Sequence, residues 1–64
     1  MRRPEVHRIY RIERSIKEGK YPNAAQLAKM LEVSQRTVQR DIEYMRDLLG
    51  APVEYDKSKR GYYY

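Results

Sequence analysis

Residues 32–33 alone separate two segments of helical periodicity, and this short connection constrains the possible fold more than any other feature. Leu27, Ala28 and Leu31 recur at helical spacing in the first segment, which ends at the connection. Ser34 opens the second segment with a hydroxyl that suits a helix N-cap. A connection this short excludes two helices lying flat and antiparallel, and the small Ala28 side chain lets their backbones approach closely. The spacing therefore predicts a sharply crossed helix-turn-helix.

The helix before the turn has a well-marked beginning. Asn23 can cap it, and Gln26, three residues later, completes a capping-box pattern. Pro22 disfavours a helical conformation for Tyr21. We therefore expect this helix over about residues 24–31.

An earlier amphipathic helix is expected from Pro4 to Glu18, with Gly19 as its C-terminal cap. Its apolar face is formed by side chains spaced three or four residues apart, namely Val6, Ile9, Ile12 and Ile16.

The helix after the turn is expected over about residues 35–49, because Gly50 and Pro52 prevent its continuation. Its apolar residues fall on one narrow stripe of the helical wheel: Val38, Ile42, Met45 and Leu49. After Pro52, residues 53–55 alternate in polarity, "DKSKRG" supplies turn-forming residues, and "YYY" ends the chain. This pattern predicts a β-hairpin. The predicted fold is mainly α with a small β-hairpin: one domain over residues 1–64, a three-helix bundle plus a wing.

The charge balance favours an acidic partner. The 64 residues carry 14 Lys and Arg against 9 Asp and Glu, a net charge of +5. Nucleic acid is the commonest partner of such a basic module. The sequence has no cysteine, which excludes disulfides and thiolate metal sites. No apolar run is long enough for a membrane span or a secretory signal, so we expect a cytoplasmic protein without a membrane partner.

The outward face of the third helix is basic and rich in amides. Arg36 and Arg40 lie opposite the apolar stripe. Arginine can bond guanine bidentately, glutamine can do so with adenine, and Ser or Thr commonly bonds phosphate. A helix in the major groove presents its N-terminal residues to base edges. The candidate DNA-binding residues of this helix are Ser34, Gln35, Arg36, Thr37, Gln39 and Arg40; Ser34 is also its cap. A purely solvated helix face is the alternative interpretation.

The predicted wing tip carries Lys57, Lys59 and Arg60, which we expect to clamp the DNA backbone or the minor groove; a merely soluble turn is the alternative. Arg2 and Arg3 could extend this contact as an N-terminal arm or belong to a disordered tail. Asp41 is expected to pair with a nearby arginine rather than to contact a base.

The seven tyrosines could suggest base stacking, as in proteins that bind single strands. Tyr55, Tyr62 and Tyr64 are better explained as hairpin residues that cover a small core, while Tyr10 and Tyr44 are expected to be more exposed. His7, the sole histidine, is expected on the helix surface. No motif brings Ser, His and Asp together, and no glycine-rich phosphate loop exists. We therefore expect no enzyme, no catalytic residue, no metal site and no cofactor.

From "RIYRIERSIKEGKYPNAAQLA" onward the sequence resembles the N-terminal winged helix-turn-helix of DeoR-like bacterial transcriptional regulators, most closely those with a C-terminal WYL domain. "VSQRTVQRDIEYM", "GAPVEYD" and the final "GYYY" carry the resemblance together. It implies that the helix from Ser34 is the recognition helix, with Arg36, Thr37 and Arg40 facing DNA. Glu32 occupies a turn position where many such units have glycine, and a left-handed backbone there costs about 1–2 kcal/mol for other residues. This leaves the angle between the two helices open.

We therefore expect a sequence-specific domain that binds double-stranded DNA in a bacterial transcriptional regulator. The final strand, which ends on three tyrosines, suggests that the natural protein continues. The intact protein is expected to be a homodimer through a region absent from this chain, and the chain itself a monomer. The alternatives are a protein-interaction winged helix that uses an apolar patch, and a single-strand binder that stacks bases on tyrosine.

Overall fold

The computed structural model describes residues 6–64. The predicted helix start at Pro4 and the possible arm at Arg2 and Arg3 lie outside these residues. Three helices precede a two-stranded antiparallel hairpin, in the order α1 (Val6–Lys17), α2 (Ala24–Leu31), α3 (Gln35–Leu48), β1 (Glu54–Asp56) and β2 (Gly61–Tyr63). The prediction of three helices followed by a hairpin, a winged helix-turn-helix, is confirmed. The α2 helix has the predicted bounds, and α1 and α3 each end one residue before the predicted end.

The helices begin where their capping residues place them. The Asn23 side chain accepts a hydrogen bond from the Gln26 backbone N–H at 2.8 Å, and the Gln26 side chain accepts one from the Asn23 N–H at 2.9 Å. This reciprocal pair is the predicted capping box, and it satisfies two N–H groups that lack partners within the helix.

The turn between α2 and α3 is tight. Glu32 adopts a left-handed conformation, with φ 57° and ψ 43°, although it is not glycine. The backbone N–H of Val33 donates to the Ala28 carbonyl at 3.0 Å, which satisfies a carbonyl at the end of α2. A looser turn is therefore not needed, and the left-handed residue turns the chain directly into α3.

One apolar core lies between the helices and the base of the hairpin. Its buried members are Ile9, Ile12, Ile16, Leu27, Ala28, Val38, Ile42, Met45 and Val53. Two residues predicted for the apolar faces are instead exposed, Val6 to 79 % and Leu49 to 57 %. Both predictions were wrong, and both residues lie at the end of a helix: Val6 is the first residue of α1 and Leu49 follows the last residue of α3. No helix within residues 6–64 combines the length and the apolar character needed to cross a membrane.

The burial of the tyrosine side chains differs in part from the prediction. Tyr62 is half-buried and packs against the core, as expected. Tyr55, the cross-strand partner of Tyr62, makes an edge-to-face contact with the Tyr62 ring at 5.2 Å but is 48 % exposed. Tyr64 is 37 % exposed, so neither it nor Tyr55 covers the core as predicted. Tyr44 is half-buried against the core rather than exposed, because its long ring reaches inward from the flank of α3.

The hairpin is attached to the helices at both of its strands. The register pairs Glu54 with Tyr63, Tyr55 with Tyr62 and Asp56 with Gly61. Before β1, the buried Val53 accepts a hydrogen bond at its carbonyl from Arg46 Nε on α3, at 3.2 Å. In β2, the Tyr62 N–H donates to the Pro22 carbonyl in the α1–α2 loop, at 2.8 Å. The wing therefore has a defined position relative to the helices.

Candidate nucleic-acid interface

The first two turns of α3 present polar side chains to solvent and apolar ones to the core. Val38 and Ile42 are buried on the inner side. The outer side carries the exposed residues Gln35, Arg36, Gln39 and Arg40. Within residues 6–64, no hydrogen bond or ion pair engages the guanidinium group of Arg36 or Arg40. These guanidinium groups are therefore accessible to a ligand along the helix.

Ser34 and Thr37 are partly occupied in holding the start of α3. The Ser34 hydroxyl accepts a hydrogen bond from the Thr37 backbone N–H at 3.1 Å, which is the predicted cap. The two hydroxyls also lie 3.0 Å apart and share a hydrogen bond. Thr37 is half-buried, whereas Ser34 is exposed. Both residues lie where the helix dipole favours an anion, but their first role in the fold is structural.

A buried ion pair sets the orientation of α3 against α1. Asp41 is 3 % exposed, and its carboxylate bonds the Arg8 guanidinium through two contacts, Nε to Oδ2 and Nη2 to Oδ1, the latter at 3.1 Å. Bidentate pairing of this kind fixes geometry as well as charge. The prediction that Asp41 pairs with an arginine is confirmed. The sequence did not reveal that Arg8 of α1 is the partner.

The wing turn carries the second group of candidate residues. Lys57, Lys59 and Arg60 are all exposed. The Asp56 carboxylate accepts a hydrogen bond from the Lys59 backbone N–H at 3.0 Å, which closes the turn. Arg60 has φ 55°, a left-handed conformation that is costly for a residue with a side chain. The turn thus exposes three cationic side chains, and the hydrogen bond to Asp56 fixes its backbone.

Lys59 does not extend freely into solvent. Its Nζ lies 4.2 Å from the centroid of the Tyr21 ring, in the geometry of a cation–π contact. Tyr21 belongs to the α1–α2 loop and was not predicted to take part in the site. The one sequence signal for it was Gly61, since a glycine within a strand can mark a close backbone approach.

The structure thus brings the nine predicted site residues into two groups, one on α3 and one on the wing turn. Within residues 6–64, no hydrogen bond or ion pair joins a residue of one group to a residue of the other. Their side chains are fixed by separate elements, which Arg46 and Val53 link through the hydrogen bond at the base of β1.

Burial changes the acid–base behaviour of two hairpin tyrosines. Desolvation raises the pKa of Tyr62 above its ordinary value, with a smaller raising effect from Tyr55 and an opposing one from Arg46. Desolvation also raises the pKa of Tyr64. On the surface of α1, the hydrogen bond and charge of Glu13 raise the pKa of Lys17. All three residues therefore keep their neutral-pH ionisation states.

The part of the chain that the structure describes contains no group of three or more His, Cys, Asp or Glu residues that could hold a metal ion. His7 is exposed on α1, as predicted. The geometry on α3 and the wing is instead that of charged and amide donors aimed at solvent, which suits the recognition of an anionic polymer rather than chemistry at a closed site.

Comparison with known proteins identifies the family. The profile of a family described as HTH domain matches residues 8–63, which is most of the chain and includes α2, α3, both strands and all of α1 except its first two residues. No curated protein and no solved structure matches the sequence. The family is one of DNA-binding domains and not of enzymes. The chain therefore belongs to the helix-turn-helix domain family, which is found in WYL-type and DeoR-type regulators.

Proposed function

We propose that this chain is the sequence-specific DNA-binding domain of a bacterial transcriptional regulator of the DeoR-like, WYL-domain type. The observation that carries the proposal is the exposed face of α3. Arg36 and Arg40 lie on its first turns opposite buried Val38, and the exposed Gln35 and Gln39 flank them. In the proposed complex α3 lies in the major groove, where these side chains meet base edges.

The wing is proposed to contact the DNA backbone. Lys57, Lys59 and Arg60 are exposed on one four-residue turn, and Arg60 adopts its left-handed conformation at a cost. Glycine would occupy that position without strain, so an arginine there favours a role for its charge.

A single domain of this kind buries about 600–1,000 Å² on DNA, which is a modest interface. We therefore propose that tight binding uses two copies on paired half-sites, held together in the intact protein by a region outside this chain. Selection of duplexes from a random pool by the intact protein would reveal two half-sites and their spacing. A pool that yields single, unpaired sites would contradict the dimer.

Substitution of one residue from each group separates base reading from phosphate contact. Arg36→Ala is expected to cost about 1–3 kcal/mol on the selected site and much less on unrelated duplex. Lys59→Ala is expected to weaken both duplexes similarly and to lower the salt slope by about one. Arg14→Ala, an exposed cation of α1, is the control for the same change of charge. Equal losses on all sequences from Arg36→Ala would refute its role as a base reader.

The rival function, a protein-interaction winged helix, is favoured by one observation: four large apolar side chains of α1 and of the C-terminal end of α3 are exposed, namely Val6, Tyr10, Leu48 and Leu49. Titration with unrelated duplex at low salt distinguishes the two functions. A DNA-binding domain binds with a strong salt dependence, whereas an interaction module shows no salt-dependent binding. Competition between duplex and single strand tests the stacking alternative in the same assay.

A further inference from the structure

The ring of Tyr21 contacts the wing on two sides. Lys59 Nζ lies 4.2 Å from its centroid. The Tyr63 ring, on β2, lies 5.7 Å from it with an interplanar angle of 39°. Tyr21 thus stands between the second strand of the hairpin and the basic turn, although it is distant from both in sequence.

The backbone beneath this ring is locked to the same strand. A Cβ atom built on Gly61 would lie 1.7 Å from the Tyr21 carbonyl oxygen, so β2 and the α1–α2 loop are in direct contact. The adjacent Tyr62 N–H donates to the Pro22 carbonyl at 2.8 Å. Tyr21 itself has φ 53°, a left-handed conformation rare for a residue with a large side chain. The loop therefore holds the Tyr21 ring in one place relative to the wing.

A lysine on an exposed turn ordinarily samples many rotamers, and DNA binding must restrict them. An aromatic face attracts the ammonium group and reduces that freedom before DNA arrives. The contact engages one side of the ammonium, while N–H donors on its other sides remain free for a phosphate oxygen. A pre-ordered cation loses less entropy on binding than a mobile one.

We propose that Tyr21 is a positioning residue for DNA binding, which holds the Lys59 ammonium ready for a backbone phosphate. This inference rests on the proposed function, because it assumes that the wing contacts DNA. Tyr21 acts in it through Lys59 and touches no base.

The first measurement needs no DNA. The Hε protons of Lys59 are expected to show an upfield ring-current shift by NMR in the wild type. Tyr21→Phe, which keeps the ring, is expected to retain the shift, and Tyr21→Leu is expected to abolish it. Lys59 Hε shifts that are the same in Tyr21→Leu as in the wild type would overturn the inference.

The second measurement is a double-mutant cycle on duplex affinity. Tyr21→Leu is expected to weaken binding about two- to fivefold, as the loss of an exposed cation–π contact implies. Tyr21→Phe is expected to bind like the wild type. In a Lys59→Ala background Tyr21→Leu should have no further effect, whereas in a Lys57→Ala background its full effect should remain.

An undiminished effect of Tyr21→Leu in the Lys59→Ala background would overturn the positioning role, since Tyr21 would then act through the fold or contact DNA itself. Thermal unfolding of each variant shows whether it is folded at the assay temperature, and Tyr21→Met is the second ring-free variant if the leucine variant is not. Failure of the wild type to bind any duplex would overturn the proposed function together with this inference. Salt-dependent wild-type binding without coupling between Tyr21 and Lys59 would overturn this inference alone.

Discussion

Substitution of Gly61 by alanine tests how the wing is attached to the helices. The added Cβ would lie 1.7 Å from the carbonyl oxygen of Tyr21 and 2.3 Å from its carbonyl carbon. Ordinary contact begins near 3.4 Å, so the strand and the loop would have to separate by roughly 1.7 Å. Both obstructing atoms belong to the backbone, and no side-chain rotation relieves the overlap.

The magnitude follows from what that separation breaks. Overpacking of a tight site costs about 1–3 kcal/mol. The hydrogen bond from the Tyr62 N–H to Pro22, 2.8 Å long, would also be lost, for about 1 kcal/mol more. The expected loss for Gly61→Ala is thus about 2–4 kcal/mol of the free energy of unfolding. A domain of this size has about 3–10 kcal/mol in total, so the variant is close to unfolding.

Gly50→Ala is the matched control. Gly50 has φ 67°, and nothing lies within 4 Å of the position that its Cβ would take. The alanine there suffers backbone strain without a clash, at a cost of about 1–2 kcal/mol. Comparison of the two variants therefore separates steric overlap from conformational strain.

The assay is thermal unfolding followed by circular dichroism at 222 nm, supported by urea titration. Each kcal/mol shifts the unfolding midpoint of a small domain by roughly 4–8 °C. The midpoint should therefore fall by roughly 10–30 °C in Gly61→Ala and by roughly 4–16 °C in Gly50→Ala. A Gly61→Ala variant that is more stable than Gly50→Ala would refute the close approach of β2 to the α1–α2 loop.

Three further predictions concern the ion pair, the wing turn and the hairpin tyrosine. Arg8→Met leaves the Asp41 carboxylate, 4 % exposed, without its partner and should lower the free energy of unfolding by about 3–5 kcal/mol. Asp41→Asn leaves the Arg8 side chain, which is 19 % exposed and nearer water, and should cost less, about 1–3 kcal/mol. Urea unfolding that gives the reverse order would contradict the described burial. Arg60→Gly removes the backbone strain of a left-handed arginine, so the free energy of unfolding should stay level or rise by up to about 1 kcal/mol, while duplex affinity falls. A variant that is less stable than the wild type would refute the strain at this position. Because burial raises the pKa of Tyr62, the hydroxyl stabilises the fold only while it is protonated, and stability should be level below pH about 10 and fall above it. Tyr62→Phe should reduce that fall in urea midpoints measured between about pH 8 and 11.5, and an unchanged profile would count against the predicted effect.

Much of the fold could be predicted from the sequence because the relevant interactions are local. Asn23, Gln26 and Ser34 cap helices through atoms only three residues apart, and the apolar spacing in α1 and α3 follows from the helix repeat. Exposure of Arg36 and Arg40 follows from the same repeat, because they lie opposite the apolar stripe. Local patterns were less informative at the helix ends, where Val6 and Leu49 keep the spacing of the stripe but are mostly exposed.

The sequence by itself therefore determined the three helices, the hairpin and the basic outer face of α3. Only the tertiary structure decided that Asp41 pairs with Arg8, 33 positions away, and that the Tyr21 ring contacts Lys59 of the wing turn. It also decided that Glu32 takes a left-handed conformation that its residue type disfavours. The physical reason is that these features depend on which surfaces meet when the elements pack, and neither periodicity nor capping carries information about contacts between residues so distant in sequence.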